Sequence, residues 1–169
     1  GFSIKSKKRL FPYQLKAWHD KLSTKLEISK DINTQFAAYI RYLELSKYTY
    51  EDDKYIIFPA PSVEDLKNEG REQKNCVGHL YLKPYIEGET EIYFVRQLDK
   101  MDKSFITLEF KNGCVKQKVL ANNNKNLTKE QNDFIDKWLG YRNFMDKKSK
   151  YEKKSKIEIK QYELNKKAA

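Results

Sequence analysis

The sequence predicts an α+β domain: N-terminal helices, a small antiparallel sheet of three or four strands carrying an Asn-Gly β-hairpin, and a closing C-terminal helix. Three observations carry this. Apolar residues recur at helical spacing through the first 47 positions. The period shifts to two around Asn112-Gly113, and a capped helical pattern returns after Thr128. The 169 residues suffice for one domain with extensions and are too few for two full domains.

The first helical pattern starts after Phe11-Pro12-Tyr13 and continues through Leu15, Trp18, Leu22 and Leu26. A second helix is expected from Asp31, as N-cap, to Lys47, with Ile32, Phe36, Tyr39, Ile40 and Leu43 on one face. Tyr55-Ile56-Ile57-Phe58 reads as a short strand ended by Pro59 and Pro61. Ser62 to Asp65 has the form of a capping box, and the helix it opens is expected to end at Gly70. A short helix follows over Cys76 to Glu87, with Val77, Leu80 and Tyr81 on one side and its regularity limited by Pro84.

Residues 91–96 form an aromatic and β-branched strand. Two alternating runs, 105–110 and 114–120, flank Asn112-Gly113, the pair that favours a type I′ turn. A two-residue loop would pair Lys111 with Cys114, Phe110 with Val115, Glu109 with Lys116 and Leu108 with Gln117. Ile106, Leu108, Phe110, Val115, Gln117 and Val119 would then face the core. Thr107, Glu109, Lys111, Cys114, Lys116 and Lys118 would face mostly solvent. Gln117 among apolar neighbours needs hydrogen bonds or lines a pocket. Thr128 and Gln131 cap a final helix holding Phe134, Ile135, Trp138, Leu139 and Phe144.

The division expected is a basic arm over 1–10, one α+β domain over 11–146, and a Lys-rich tail over 147–169. The first residue being Gly1, there is room for a longer parent chain. The net charge of +10 is segregated: residues 1–20 carry five basic side chains against Asp20, and residues 141–169 carry ten against four acids, while the middle is neutral. Cationic ends attract polyanions by counterion release, so Lys5, Lys7, Lys8, Arg9, Lys147, Lys148, Lys150, Lys153 and Lys154 are candidate contacts for DNA or RNA. The competing reading is a solvated, solubilising tail. Aromatic residues at 14% argue against wholesale disorder. No apolar run approaches the roughly 18 to 20 residues that span a bilayer, so no membrane partner is expected. Two cysteines make no disulfide framework, which points to a reducing cytoplasmic compartment.

Several spaced pieces give the chain its resemblance to a known family. They are Pro12, Leu15 and His19-Asp20; Glu69-Gly70; Asn75-Cys76-Val77-Gly78 with Tyr81; Gly88, Ile92 and Arg96; Thr107-Leu108-Glu109; Gln117 with Asn122; and Trp138. In order and spacing these resemble PcfJ-like proteins of conjugative plasmids and other bacterial mobile elements, over about residues 11–140. Asn75 stands where that family often has His, and no Gly follows the glutamine segment. The resemblance implies an accessory role in a mobile element, with other proteins of that element as partners, and implies no particular reaction.

Candidate chemistry is sparse. Cys76 and His79 are three apart, which on a helix permits a thiolate–imidazolium nucleophile, against the commoner structural cysteine and surface histidine. Gathering His19, Cys76, His79 and Cys114 around zinc would need spacings unlike the close pairs of structural zinc sites, so no metal is expected. Neither a dinucleotide-type nor a Walker-type glycine loop occurs, and no cofactor is expected. Asn75, Arg96, Gln117 and Asn122 form a candidate binding set for a phosphate, carboxylate or nucleobase, or else a buried network that fixes the fold.

Overall fold

The computed structural model describes residues 31–168. The helix expected around Leu15, Trp18, Leu22 and Leu26 lies outside the described residues. Residues 31–45 form helix α1, and Asp31 is already helical rather than capping. The 3-10 turn Ser46–Tyr48 leads into a sheet of five strands, not three or four. These are β1 (Tyr50–Glu51), β2 (Tyr55–Pro59), β3 (Glu91–Gln97), β4 (Ile106–Lys111) and β5 (Cys114–Val119). They follow one another in space as in sequence, every neighbour antiparallel. Between β2 and β3 lie helices α2 (Val63–Gln73), α3 (Val77–Leu80) and α4 (Leu82–Ile86). Helix α5 (Lys129–Ala168) closes the chain.

Helices cover both faces of the sheet. The central strand β3 is therefore buried at five consecutive positions, Ile92 to Arg96, where a half-solvated strand would alternate. On one face Tyr93 and Phe110 pack edge-on against Trp138 of α5, at ring separations of 4.8 and 6.0 Å. The Trp138 indole donates to the Tyr48 carbonyl at 2.8 Å. One turn further on, the Arg142 guanidinium lies 3.9 Å from the ring centroids of both Tyr48 and Phe110. It also donates to the Tyr93 hydroxyl at 2.6 Å and pairs with Glu91 at 2.7 Å. An aromatic box filled by this arginine thus fixes α5 to the sheet. On the opposite face Phe94 meets Phe58 edge-on, beneath α2.

Ser62 caps α2 as its sequence implies: its hydroxyl accepts the Asp65 amide at 3.0 Å and donates to the Asp65 carboxylate at 2.6 Å. The helix does not stop at Gly70. It runs to Gln73, and Lys74, in the left-handed region with φ 52°, ends it. Gly70 serves another purpose. A Cβ on Gly70 would lie 2.9 Å from the Gly78 nitrogen, and one on Gly78 would lie 2.8 Å from the Lys67 Cα. The two glycines let α3 fold back against α2 at backbone contact. The single short helix expected over Cys76 to Glu87 is two, broken at Tyr81, and Leu80 points to solvent. In α4 the Tyr85 hydroxyl donates to the Ala60 carbonyl at 2.8 Å, which holds the helix to the end of β2.

The hairpin turns through Asn112 and Gly113, both with positive φ. Lys111 pairs with Cys114 and Phe110 with Val115, but the register then shifts by one residue. Glu109 faces Gln117 and Leu108 faces Lys118, so Lys116 is the extra residue of a β-bulge. The bulge moves Gln117 off the core face expected for it; it is exposed, and it shares the Glu109 side of the sheet. That side is not solvated as expected either, because α2 and α3 cover it and Thr107 is buried. Capping of α5 is reciprocal: Thr128 N–H donates to Gln131 Oε1 at 2.9 Å, and Gln131 N–H donates to Thr128 Oγ1 at 3.3 Å. The helix passes position 146 without a break. Phe144, expected in the packed stripe, is exposed, as are Ile32, Phe36, Tyr39, Ile40 and Leu43 of α1.

Candidate functional site

A buried carboxylate organises the α2 face of the sheet. The stripe of α2 turned to the sheet is Val63, Leu66, Glu69, Gly70 and Gln73, so Glu69 occupies a core position. It pairs there with Arg96 of β3. The Ser104 and Thr107 hydroxyls each donate to it at 2.6 Å. Arg96 also donates to the Val95 carbonyl at 3.1 Å and lies 5.0 Å from the Phe94 ring. An ion pair in this setting is held by surrounding hydrogen bonds that compensate its lost hydration. Arg96 borders a cleft of about 250 Å³ between α2 and the β3–β4 connection, rimmed by Asp65, Glu72 and Asp102.

Thr107 links this network to a second, smaller opening. A notch with room for about 20 Å³ is lined by Asn75, Tyr81, Thr107, Glu109 and Gln117 over Val77, Ile92 and Val119. Gln117 Nε2 donates to the Tyr81 hydroxyl at 3.2 Å. The Thr90 hydroxyl donates to Glu109 Oε1 at 3.1 Å. Burial, with the neighbouring Glu109 charge, raises the Tyr81 hydroxyl above its ordinary pKa. Asn75 Oδ1 accepts the Val77 amide at 3.0 Å and so starts α3, while its Nδ2 is buried without a partner. Nearby on the α2 stripe, both polar atoms of Gln73 are buried and unpartnered as well, at 1% exposure.

The structure therefore joins Asn75 and Gln117 at one site and places Arg96 on the far side of Glu69. Asn122 sits apart, exposed in a left-handed conformation within the 3-10 turn Ala121–Asn123, on which α2 packs. Cys76 and His79 are both exposed, Cys76 as the residue before α3, and no hydrogen bond joins thiol to imidazole. Among the described residues no three His, Cys, Asp or Glu side chains cluster as a metal centre requires. Glu69, Tyr81, Thr107 and Glu109 complete the two sites. Glu69 had a legible signal, a charge on an otherwise buried helical stripe. Thr107 and Glu109 lie on the side of β4 that alternation assigns to solvent, and only the cover of α2 and α3 draws them into a site.

The basic residues separate likewise. Lys5, Lys7, Lys8 and Arg9 lie outside the described residues. Lys147, Lys148, Lys150, Lys153 and Lys154 are all exposed on α5, past the last of its buried positions. Among the described residues, Lys154 alone of these five meets a carboxylate, Glu158 on the same helix at 3.9 Å. Lys147, Lys150 and Lys154 share one face by their three- and four-residue spacing. No helix among the described residues is long and apolar enough to cross a membrane.

Comparison with known proteins places these observations in context. A family model described as PcfJ-like protein matches residues 1–135. An uncharacterised protein of Listeria innocua is 31% identical over 118 residues, 69% of this chain and 26% of that protein. The chain thus spans about a quarter of the curated relative it matches. No solved structure matches it.

Proposed function

The chain belongs to the PcfJ-like family, and on that footing we propose that it serves a bacterial mobile element as a non-enzymatic accessory protein that binds nucleic acid. The observation that carries this reading is the outer part of α5. It holds exposed lysines of which, among the described residues, only Lys154 meets a carboxylate. A folded, neutral body with a cationic helix suits sequence-independent contact with phosphates. The basic residues of the N-terminal arm would add to the same field. An enzymatic role for Cys76 draws no comparable support, since its thiol has no base hydrogen-bonded to it. The test is binding of DNA and RNA as a function of salt, for the parent and for a chain ending at residue 146. The parent should bind with an affinity falling steeply and log-linearly as salt rises, and the shortened chain should lose most of that dependence. Absence of binding by the parent at low salt would overturn the reading.

A second reading, a protein adaptor within a transfer complex, is favoured by one observation. Ile32, Phe36, Tyr39, Ile40 and Leu43 form an exposed apolar face on α1, with Phe36 64% exposed. Replacing Phe36 and Leu43 by Ser would then weaken co-purification with other proteins of the element and leave the salt-dependent binding in place.

A further inference from the structure

The outward face of α1 carries an apolar stripe whose positions are mirrored in the chain that precedes it. Ala38 and Leu45 are the buried side of α1, and Arg41 reaches Glu91 at 3.9 Å. Ile32, Phe36, Ile40 and Leu43 lie on the opposite side, each at least 39% exposed. They stand 3, 7, 11 and 14 residues after Ser29. Leu26, Leu22, Trp18 and Leu15 stand 3, 7, 11 and 14 residues before it. Each set is a single stripe at helical spacing. Two antiparallel helices joined by a short loop meet in this mirrored order, every residue facing the one equally far from the turn. The lengths agree as well: at 1.5 Å per residue, 15–26 and 32–43 would each cover roughly 17 Å as helix. Residues 28–30 are enough for the connection, since helix hairpins use loops of roughly two to five residues. Pro12 stands where proline suits the first turn of a helix.

The far end of α1 is also where α5 is anchored. The Tyr141 hydroxyl donates to the Lys47 carbonyl at 3.3 Å, and the Tyr48 hydroxyl donates to Asp146. A segment running back along α1 would pass Leu43 at Leu15. Lys5, Lys7, Lys8 and Arg9 would then emerge beyond that end, where α5 continues through Lys147 and Lys150. We infer that residues 13–27 form a helix lying antiparallel on the outward face of α1, and that the N-terminal arm and the outer turns of α5 thereby make one cationic surface for a polyanion. The hairpin stands on the mirrored stripes alone. Its polyanion partner rests on the nucleic-acid reading above and adds to it a single surface built from both ends of the chain. The hairpin also closes the α1 face to other proteins, which sets this proposal against the adaptor reading.

The test uses the full chain with Cys76→Ser and Cys114→Ser. In that background Leu22→Cys/Phe36→Cys puts thiols at facing positions, as does Trp18→Cys/Ile40→Cys should the first pair fail to fold. Leu15→Cys/Phe36→Cys puts them about two turns out of register. Under mild oxidation a facing pair should close a disulfide within one chain in most molecules, and the offset pair should stay reduced. Peptide mapping reads the bond, and light scattering should give a monomer. A nitroxide on Lys8→Cys should broaden the amide signals of residues 146–150 and spare those of 99–102, at the other end of the sheet. Equal closure of facing and offset pairs, no closure, or disulfides between chains in a dimer would overturn the hairpin. Unbroadened signals at 146–150 would overturn the joint surface. Neither readout involves nucleic acid, so if both succeed and no DNA binds at low salt, the nucleic-acid reading alone fails. Locked by its disulfide, the chain should bind a short DNA duplex with an unchanged slope of log affinity against log salt. A lost slope would show that binding needs the segment away from α1, and would overturn the joint surface.

Discussion

Gly70 and Gly78 meet backbone to backbone where α3 folds onto α2, with 2.9 Å between a Cβ built on the first and the amide nitrogen of the second. The contact turns the chain so that Asn75 and Tyr81 reach the sheet beside Glu109. Alanine at either position would push apart two backbones that have no flexible atoms to yield. We expect Gly78→Ala to lower the stability by about 1–3 kcal/mol, read as a lower urea midpoint. Gly140→Ala is the contrast: nothing lies within 4 Å of its Cβ position in the interior of α5. That variant should gain up to about 1 kcal/mol from helix propensity. Equal effects at the two sites would contradict the close-approach account.

Glu69→Gln should be among the most damaging single changes. It leaves the Arg96 guanidinium buried without its countercharge, at a cost of about 3–5 kcal/mol. Arg96→Met alone should be similarly severe, since it strands the carboxylate. The double variant Glu69→Gln/Arg96→Met should cost clearly less than the two losses added together, because no uncompensated charge remains. Chemical denaturation of all three, as a double-mutant cycle, measures this.

Three tyrosines tie stability to alkaline pH. Burial first, with Asp146 accepting the Tyr48 hydroxyl, raises the Tyr48 pKa above its ordinary value of 10.0. Burial does the same for Tyr85 and, aided by the Glu91 charge, for Tyr93. A group whose folded pKa is raised holds its proton in the native state after the unfolded chain has released it. Its stabilising contribution is therefore complete below pH 10 and is lost as pH climbs above that value. Stability should be insensitive to these groups at neutral pH and fall by up to about 1.4 kcal/mol per pH unit for each above pH 10. Ultraviolet titration of phenolate should show these three ionising together with loss of the near-ultraviolet dichroism. Their smooth titration in a still-folded protein would refute it.

Replacing Lys147, Lys150 and Lys154 together by Gln tests the face on which they lie. If each meets one phosphate of duplex DNA, the slope of log affinity against log salt should shrink by about 0.9 per lysine. Glutamine keeps helix propensity and side-chain length, so helicity by circular dichroism should not change. An unchanged slope would mean that other cations carry the contact.

Much of the architecture was legible locally. Period-two patterning and the Asn112-Gly113 pair define the hairpin, and hydroxyl-to-carboxyl or hydroxyl-to-amide spacings mark where α2 and α5 begin. What failed was what depends on distant packing. Gly70 looks like a helix end because glycine usually ends helices; here the reason for glycine is a neighbour eight residues on. Lys116 looks like the partner of Glu109, since nothing in an alternating run reveals which residue a bulge will take. Once that single insertion is known, Gln117 turns from a misplaced core amide into part of the notch. The buried pairing of Glu69 with Arg96, 27 residues apart, was half visible: a lone acid on an apolar stripe announces a partner without saying which.

The continuity of α5 has a mechanical corollary. Its inner turns are clamped by Trp138 and Arg142, and no hinge separates them from the outer ones. At 1.5 Å per residue the stretch from 147 to 168 is a rod of roughly 33 Å. Whatever grips the rod's tip acquires a lever on the sheet itself, so capture of the outer helix orients the whole body instead of tethering it loosely.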